Sequence, residues 1–172
     1  MDLEFFEIGS CDLTYDLIEN ILKSGCKLKL SKEAKNNIQY CRDFLDKKTD
    51  ENTVPVYGIT TGFGSLYNKH ISKNELTILQ ENLVKSHSCS VGTPVAPIVI
   101  KLMLMLKAHA ISLGYSGVQL ITVERILDFY NNDIYPIVYD RGSLGASGDL
   151  APLANLFLPL IGEGEVMYKG ER

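Results

Sequence analysis

The sequence lacks a strong charge of either sign and a long hydrophobic run. Its 172 residues carry 17 lysines and arginines against 21 aspartates and glutamates, a formal net charge of −4. This balance excludes a nucleic-acid-binding protein that depends on dense positive charge, and 45% hydrophobic residues exclude a disordered tail. Lys101 interrupts the apolar stretch 98–106, and the uncharged run 150–162 is too short to span a bilayer. We therefore expect neither a membrane nor a nucleic acid as partner.

Cysteine pairs and a targeting segment are lacking as well. None of the four cysteines lies in a CxxC pair, and residues 1–4 are acidic where a signal peptide is basic. Free thiols are typical of a reducing compartment, so we expect a cytoplasmic protein. The histidines His70, His87 and His109 lie far apart, which predicts no metal site. The Gly-Phe-Gly at 62–64 lacks the strand and helix of a dinucleotide site, so no nucleotide is expected.

The spacing of hydrophobic residues predicts a mainly α fold. The predicted helices cover residues 13–22, 31–45, 72–87, 94 or 97 to 113, 118–131 and 149–160. Ser10 or Asp12 is the expected cap of the first helix, and Ser72 is the expected cap of the third. The long helix that ends at residue 113 is hydrophobic on most of its circumference, which predicts burial in a large bundle or at a subunit contact.

Short strands are predicted near residues 27–30, 53–57 and 165–169. The first strand alternates lysine and leucine. In the second, Pro55 keeps the residue before it out of the helical region. These two strands are expected to pair. Residues 58–70 hold three glycines and no period, which predicts a loop. No linker or repeat divides the chain. We expect residues 1–172 to form a single N-terminal region of a longer, truncated polypeptide.

The segment 142–150, Gly-Ser-Leu-Gly-Ala-Ser-Gly-Asp-Leu, has two interpretations. It could be a flexible turn in which Ser147 or Asp149 caps the next helix. Alternatively, when the backbone is bent tightly, the Gly148 nitrogen can attack the Ala146 carbonyl and close a five-membered ring. Loss of two waters, one from the Ser147 hydroxyl, then leaves a methylidene carbon that is electrophilic. Such a reaction requires strained backbone that the surrounding structure holds in place.

Three blocks of sequence resemble the aromatic amino acid ammonia-lyases. They read YGITTGFG at 57–64, LQENLVKSH at 79–87 and GSLGASGDLAPL at 142–153, and residues 162–170 resemble the stretch that comes after the last block in that family. The resemblance implies the N-terminal portion of the helical ammonia-lyase fold. It also implies a 4-methylideneimidazole-5-one (MIO) group that forms autocatalytically from Ala146-Ser147-Gly148.

The same resemblance implies roles for two further residues. Tyr57 would remove the β-proton of the substrate, and His87 would contact the far end of the substrate side chain. Without the resemblance, Tyr57 is interpreted as a buried tyrosine at a strand end and His87 as a helix C-cap. A phenol holds its proton near pH 7, so a basic tyrosine requires a site that shifts it. A histidine at position 87 resembles the histidine- and tyrosine-directed lyases and disfavours phenylalanine as substrate.

The resemblance implies a homotetrameric lyase that converts L-histidine to urocanate. A tyrosine ammonia-lyase or an aminomutase of the same family is an alternative, and a non-catalytic helical fragment or module is an alternative of another class. Asn155 departs from the histidine-type enzymes, which often carry histidine at this place. The groups that bind the substrate carboxylate come from later sequence and from neighbouring subunits in that family. We therefore expect this length alone to be inactive.

Overall fold

The computed structural model describes residues 4–51, 54–69, 71–72, 75–146 and 148–172. The described residues form six α-helices and six short strands, which confirms the mainly α prediction. The helices are α1 (Tyr15–Ser24), α2 (Lys32–Glu51), α3 (Leu76–His87), α4 (Pro97–Ser112), α5 (Leu120–Asn131) and α6 (Ala151–Phe157). The strands are β1 (Phe5–Ile8), β2 (Lys27–Leu30), β3 (Val91–Pro94), β4 (Tyr135–Pro136), β5 (Tyr139–Arg141) and β6 (Val166–Met167).

The strand predicted at residues 27–30 is confirmed as β2, but its predicted partner is wrong. β2 pairs with β1 in parallel, with Phe6 opposite Leu28 and Ile8 opposite Leu30. These four side chains are buried and the residues between them are exposed, so one face of the pair covers the core. The other edge of β2 is closed by Asn131, whose side chain donates to the Leu28 carbonyl and accepts from the Leu28 amide.

Residues 54–57 form a bend and the start of a turn rather than a strand, and Thr53 lies outside the described residues. The reason is local hydrogen bonding at Val56. Its amide donates to the Thr60 hydroxyl, and its carbonyl accepts from the amides of Ile59 and Thr60. Backbone groups occupied in this way cannot join a strand ladder.

The helix boundaries follow local capping chemistry. α1 begins after Thr14, whose hydroxyl accepts from the Leu17 amide, so the predicted caps at Ser10 or Asp12 are wrong. The Ser10 hydroxyl donates instead to the Glu7 carbonyl in the turn after β1. α2 begins directly after Ser31, as predicted, because the Ser31 hydroxyl accepts from the Ala34 amide.

The later helices are shorter than their predicted ranges. α3 begins at Leu76 with Glu75 at its N-cap position, and the Ser72 hydroxyl donates to the Glu75 carboxylate, so Ser72 does not cap α3. α4 begins at Pro97, whereas Pro94 belongs to β3. α6 ends at residue 157 and continues as a 3-10 turn at Leu158–Ile161.

One hydrophobic core joins the two-stranded β1–β2 pair to the helices. Its fully buried members include Ile8, Ile38, Met105, Ile126 and Leu156, which come from β1, α2, α4, α5 and α6. On α5, Val123 and Ile126 are buried, whereas Ile121 is 49% exposed. In the part of the chain that the structure describes, no helix is both long and apolar enough to cross a membrane.

Candidate active site

The segment 142–150 leaves the end of a small sheet and leads into α6. β5 pairs antiparallel with β3, with Val91 opposite Arg141, so the residue before Gly142 is fixed to the strand that follows α3. The Asp140 carboxylate strengthens this pairing, since its Oδ1 accepts from the Thr93 amide at 2.9 Å. Strand β3 therefore determines where the segment begins.

Within the segment, the Asp149 carboxylate joins one end to the other. Its Oδ1 accepts from the Ser143 amide at 2.8 Å and from the Ala151 amide at 3.2 Å. A Cβ on Gly142 would lie 2.0 Å from the same oxygen, so this contact requires glycine at position 142. Asp149 thus closes the segment into a loop and satisfies an amide at the start of α6.

Of the ring-forming residues predicted from the sequence, Ala146 and Gly148 lie at the tip of this loop. The Gly148 amide donates to the Gly145 carbonyl at 3.2 Å, and Gly148 has φ +89°, which L side chains rarely adopt. Ala146 and Gly148 are both exposed, and Ser147 lies outside the described residues. Small residues, a tight turn and a glycine at positive φ fit the ring proposed for Ala146-Ser147-Gly148.

His87 is the last residue of α3. Its Nδ1 lies 2.8 Å from the Leu83 carbonyl oxygen, which can only accept a hydrogen bond, so Nδ1 carries the hydrogen. In neutral imidazole, Nε2 then holds the free lone pair and can accept a hydrogen bond. The C-cap interpretation of His87 and a role in binding are therefore compatible, because they use different nitrogens.

Two side-chain bonds hold the His87 end of α3 against the part of the chain after the loop. Asn155 of α6 is buried, and its Nδ2 donates to the Ser90 hydroxyl at 2.5 Å and to the Ala151 carbonyl at 3.0 Å. At the surface, Lys85 Nζ lies 2.9 Å from Glu163 Oε1. The hydrogen bond with Glu163 raises the pKa of Lys85. α3 and α6 are accordingly packed against each other.

Tyr57 lies on a separate loop, residues 56–71. Its hydroxyl oxygen accepts from the Gly64 amide at 3.3 Å, and its ring meets that of Phe63 edge to face. The side chain is 62% exposed, so the interpretation of Tyr57 as a buried tyrosine at a strand end is wrong. Among the described residues, the hydrogen bonds of this loop join its own members.

The structure thus brings together part of the predicted site. The His87 end of α3 and the loop 142–150 meet through β3, β5 and α6. No hydrogen bond or ring contact in the described residues joins Tyr57 to His87, Ala146 or Gly148. Sequence reasoning missed the bond between Asn155 and Ser90, and the only signal for it was the departure at residue 155.

The two described histidines, His87 and His109, lie on different helices, α3 and α4. Within the described ranges, no group of three His, Cys, Asp or Glu side chains could hold a metal ion. His70 lies outside these ranges, and His109 is half-buried on α4 with an unpartnered Nδ1. The expectation of no metal stays a prediction.

Comparison with known proteins matches most of the chain to one family. A family model described as aromatic amino acid lyase matches residues 13–172. Histidine ammonia-lyase 2 of Fusobacterium nucleatum is 43% identical over 168 residues, which are 98% of this chain and 33% of that protein. The histidine ammonia-lyase of Geobacillus thermodenitrificans is 55% identical over 117 residues, 68% of this chain and 23% of that protein.

Solved structures agree with the sequence comparison. The crystal structure of histidine ammonia-lyase from Trypanosoma cruzi superimposes with a TM-score of 0.84 at 33% identity. The match covers 97% of this chain and 32% of that one. The chain spans about a third of the length of the first curated relatives it matches.

Proposed function

Because this chain belongs to the aromatic amino acid lyase family, we propose that it is part of a lyase that eliminates ammonia from L-histidine and forms urocanate. The observation that carries the proposal is the loop 142–150, whose two ends are held against the chain just after His87. The names of the relatives at 43% and 55% identity support histidine as the substrate.

The proposed prosthetic group forms from Ala146, Ser147 and Gly148. Gly148 at φ +89° and the contact between Gly142 and Asp149 support a loop built for compression. Once formed, an MIO group supplies a carbon electrophile that activates the amine of the substrate for elimination. Proton removal and contact with the substrate side chain are assigned to ordinary side chains.

Tyr57 is the proposed base that takes the β-proton. A phenolate oxygen at its position would keep the hydrogen bond that the Gly64 amide donates now. Its exposed side chain is free to reach a substrate bound outside its own loop. A positioned base of this kind contributes about 10²–10⁴ to the rate.

His87 is the proposed partner of the substrate side chain. With Nδ1 donating to Leu83, Nε2 accepts a hydrogen bond from the N–H of an imidazole or the O–H of a phenol. A phenyl ring offers no such donor, which disfavours phenylalanine. The geometry suits histidine and tyrosine alike, and the names of the Fusobacterium and Geobacillus relatives favour histidine.

We propose further polypeptide and further subunits for the active enzyme. The chain spans about a third of its relatives' length, so residues 1–172 would form the N-terminal, MIO-bearing region and would be inactive alone. On α4, Ile98, Val99 and Leu106 are 42–53% exposed, and this apolar surface supports burial in a homotetramer. Free thiols support a cytoplasmic location.

The proposal is tested with protein expressed from its complete reading frame. With L-histidine the expected products are urocanate and ammonia, and with L-tyrosine the expected turnover is much slower. A larger kcat/KM for L-tyrosine would overturn the choice of substrate. Formation of a β-amino acid would indicate an aminomutase, and absence of any product would indicate a non-catalytic module.

A further inference from the structure

The loop 142–150 has two anchors, and both lead to the same short piece of chain. Its first end follows β5, which is paired with β3 through Val91 and Arg141. Its second end enters α6, where Asn155 donates to Ser90. Ser90 and Val91 are neighbours, three and four residues after His87. One dipeptide therefore holds both ends of the loop.

The second anchor is a buried polar pair. Asn155 is 8% exposed and Ser90 is 9% exposed. The Ala151 carbonyl can only accept, so the atom of Asn155 that faces it is the amide nitrogen, and the same nitrogen donates to Ser90. Buried polar pairs of this kind are costly to break, because a donor left without its acceptor loses water as well as its partner.

We infer that Asn155 is a positioning residue that holds the C-terminal end of the loop 142–150 against Ser90, and that ring closure at Ala146–Gly148 depends on this bond. The inference rests on the proposed function. Asn155 touches neither the reacting atoms nor a substrate in this role. It acts through α6, whose first residue follows Gly148 by three positions.

Ring closure has a defined balance of atoms. A bond forms between the Gly148 nitrogen and the Ala146 carbonyl carbon, and the Gly148 amide hydrogen moves to the carbonyl oxygen. The resulting hydroxyl leaves as water with the Ser147 amide hydrogen. The Ser147 side-chain hydroxyl leaves as a second water with the hydrogen on its own Cα. The first bond requires a nitrogen and a carbonyl held together, which fixed loop ends favour entropically.

Asn155→Leu and Ser90→Ala each remove one partner of the hydrogen bond between Asn155 and Ser90. Asn155→Leu keeps the branched shape of the side chain without a donor, and Ser90→Ala removes the acceptor hydroxyl. Each is made by cell-free synthesis from the complete reading frame, and samples taken over time after synthesis is stopped are measured by intact mass. The readout is the rate at which each chain loses the mass of two waters. Both variants are expected to close the ring about tenfold more slowly than the unmutated protein.

Two further variants separate positioning from general stability. Lys85→Met breaks the other bond between α3 and the chain after α6, which lies at the surface beyond the loop. It is expected to close the ring at the unmutated rate. The double variant Ser90→Ala/Asn155→Leu is expected to be no slower than the slower single variant, because both remove one bond. Melting temperatures identify any variant that fails to fold.

The possible outcomes are distinct. Unmutated rates in Asn155→Leu and Ser90→Ala, while the unmutated protein loses two waters, would overturn the role of Asn155 and leave the proposed function standing. Equal slowing in Lys85→Met would also overturn it. If Asn155→Leu fails to fold, Ser90→Ala decides the question. An unmutated protein that keeps its full mass would overturn both proposals.

Discussion

The loop 142–150 and the loop 56–71 are held in different ways, although both carry groups proposed for the same reaction. The first is fixed at both ends to the chain just after His87, through β3 and through Asn155. Among its described residues, the second is held by hydrogen bonds between its own members, and Tyr57, which is 62% exposed, projects from it. This chain therefore fixes the ring-forming loop closely and leaves the proposed base to be positioned by further contacts.

The contrast predicts that formation of the prosthetic group and removal of the proton can be separated by mutation. A substitution in one loop should leave the step that is assigned to the other loop unchanged. Single substitutions test that separation, beginning with the one for which we expect the largest change.

Tyr57→Phe removes the phenolic oxygen and leaves the loop 142–150 untouched. We expect kcat to fall by about 10²–10⁴, because a positioned base is lost. The two-water mass deficit should be unchanged. Tyr67→Phe is the matched control, since Tyr67 is an equally exposed tyrosine of the same loop. A normal kcat in Tyr57→Phe would remove Tyr57 from the mechanism.

His87→Leu removes the nitrogen proposed to meet the substrate side chain. We expect kcat/KM for L-histidine to fall by about 10-fold to 100-fold, as for a lost hydrogen bond in a binding site. Ser88→Ala is the control, because its hydroxyl donates to the Lys85 carbonyl rather than to a ligand. Steady-state kinetics measures both variants. An unchanged kcat/KM in His87→Leu would exclude the proposed contact.

Gly142→Ala tests the contact that closes the anchored loop. Its Cβ would lie 2.0 Å from the Asp149 carboxylate, so the loop must open or Asp149 must move. We expect a loss of about 1–3 kcal/mol in the free energy of unfolding and a smaller dehydrated fraction. In Gly145→Ala the new Cβ would meet its nearest atom at 3.6 Å, so this change should be mild. Equal effects would contradict the role given to Gly142.

Glu165→Gln tests a peripheral support of β5, and its expected effect is the smallest. Hydrogen bonds from Arg172 lower the pKa of Glu165, and Arg172 also donates to the Tyr139 hydroxyl on β5. A lowered pKa contributes stability that is present above the ordinary glutamate pKa and is lost as pH falls through the lowered value. The variant should have a slightly lower melting temperature than the unmutated protein at pH 7. Near pH 2 the two melting temperatures should be equal. A difference in melting temperature that grows on acidification would contradict this role of Glu165.

The sequence predicts those elements whose signals are local. The spacing of Ile38 and Leu45, the hydroxyl of Ser31 and the ring of Pro97 identify α2 and α4 from neighbouring residues alone. β1 has only four residues and gains its partner through a parallel pairing across α1. No pattern within such a short segment specifies that partner, so β1 went unpredicted.

The errors come from competition between equally plausible local bonds. The sequence around Val56 is typical of an extended segment, yet the Val56 amide donates to the Thr60 hydroxyl and closes a turn. Ser72 has the sequence of a cap, yet its hydroxyl bonds the Glu75 carboxylate. Periodicity cannot decide between such partners, because the competing bonds differ by fractions of a kcal/mol to about 1 kcal/mol.

The candidate site likewise contains residues that the sequence predicts and a pair that it does not. Ala146, Ser147 and Gly148 were proposed from a possible ring-closing chemistry together with the family resemblance, and His87 and Tyr57 were proposed from the resemblance alone. The bond between Ser90 and Asn155 spans 65 residues and exists only once α3 packs on α6. Its two members are small polar residues of the kind found in any loop or helix, so only the folded structure identifies the pair.

The most direct test of the account is the intact mass of the natively expressed protein, compared with its Ser147→Ala variant. The account predicts that the unmutated chain is lighter than its sequence by two water molecules and that the variant has its full mass. An unmutated chain that carries its full mass, in protein that is folded and complete, would contradict it.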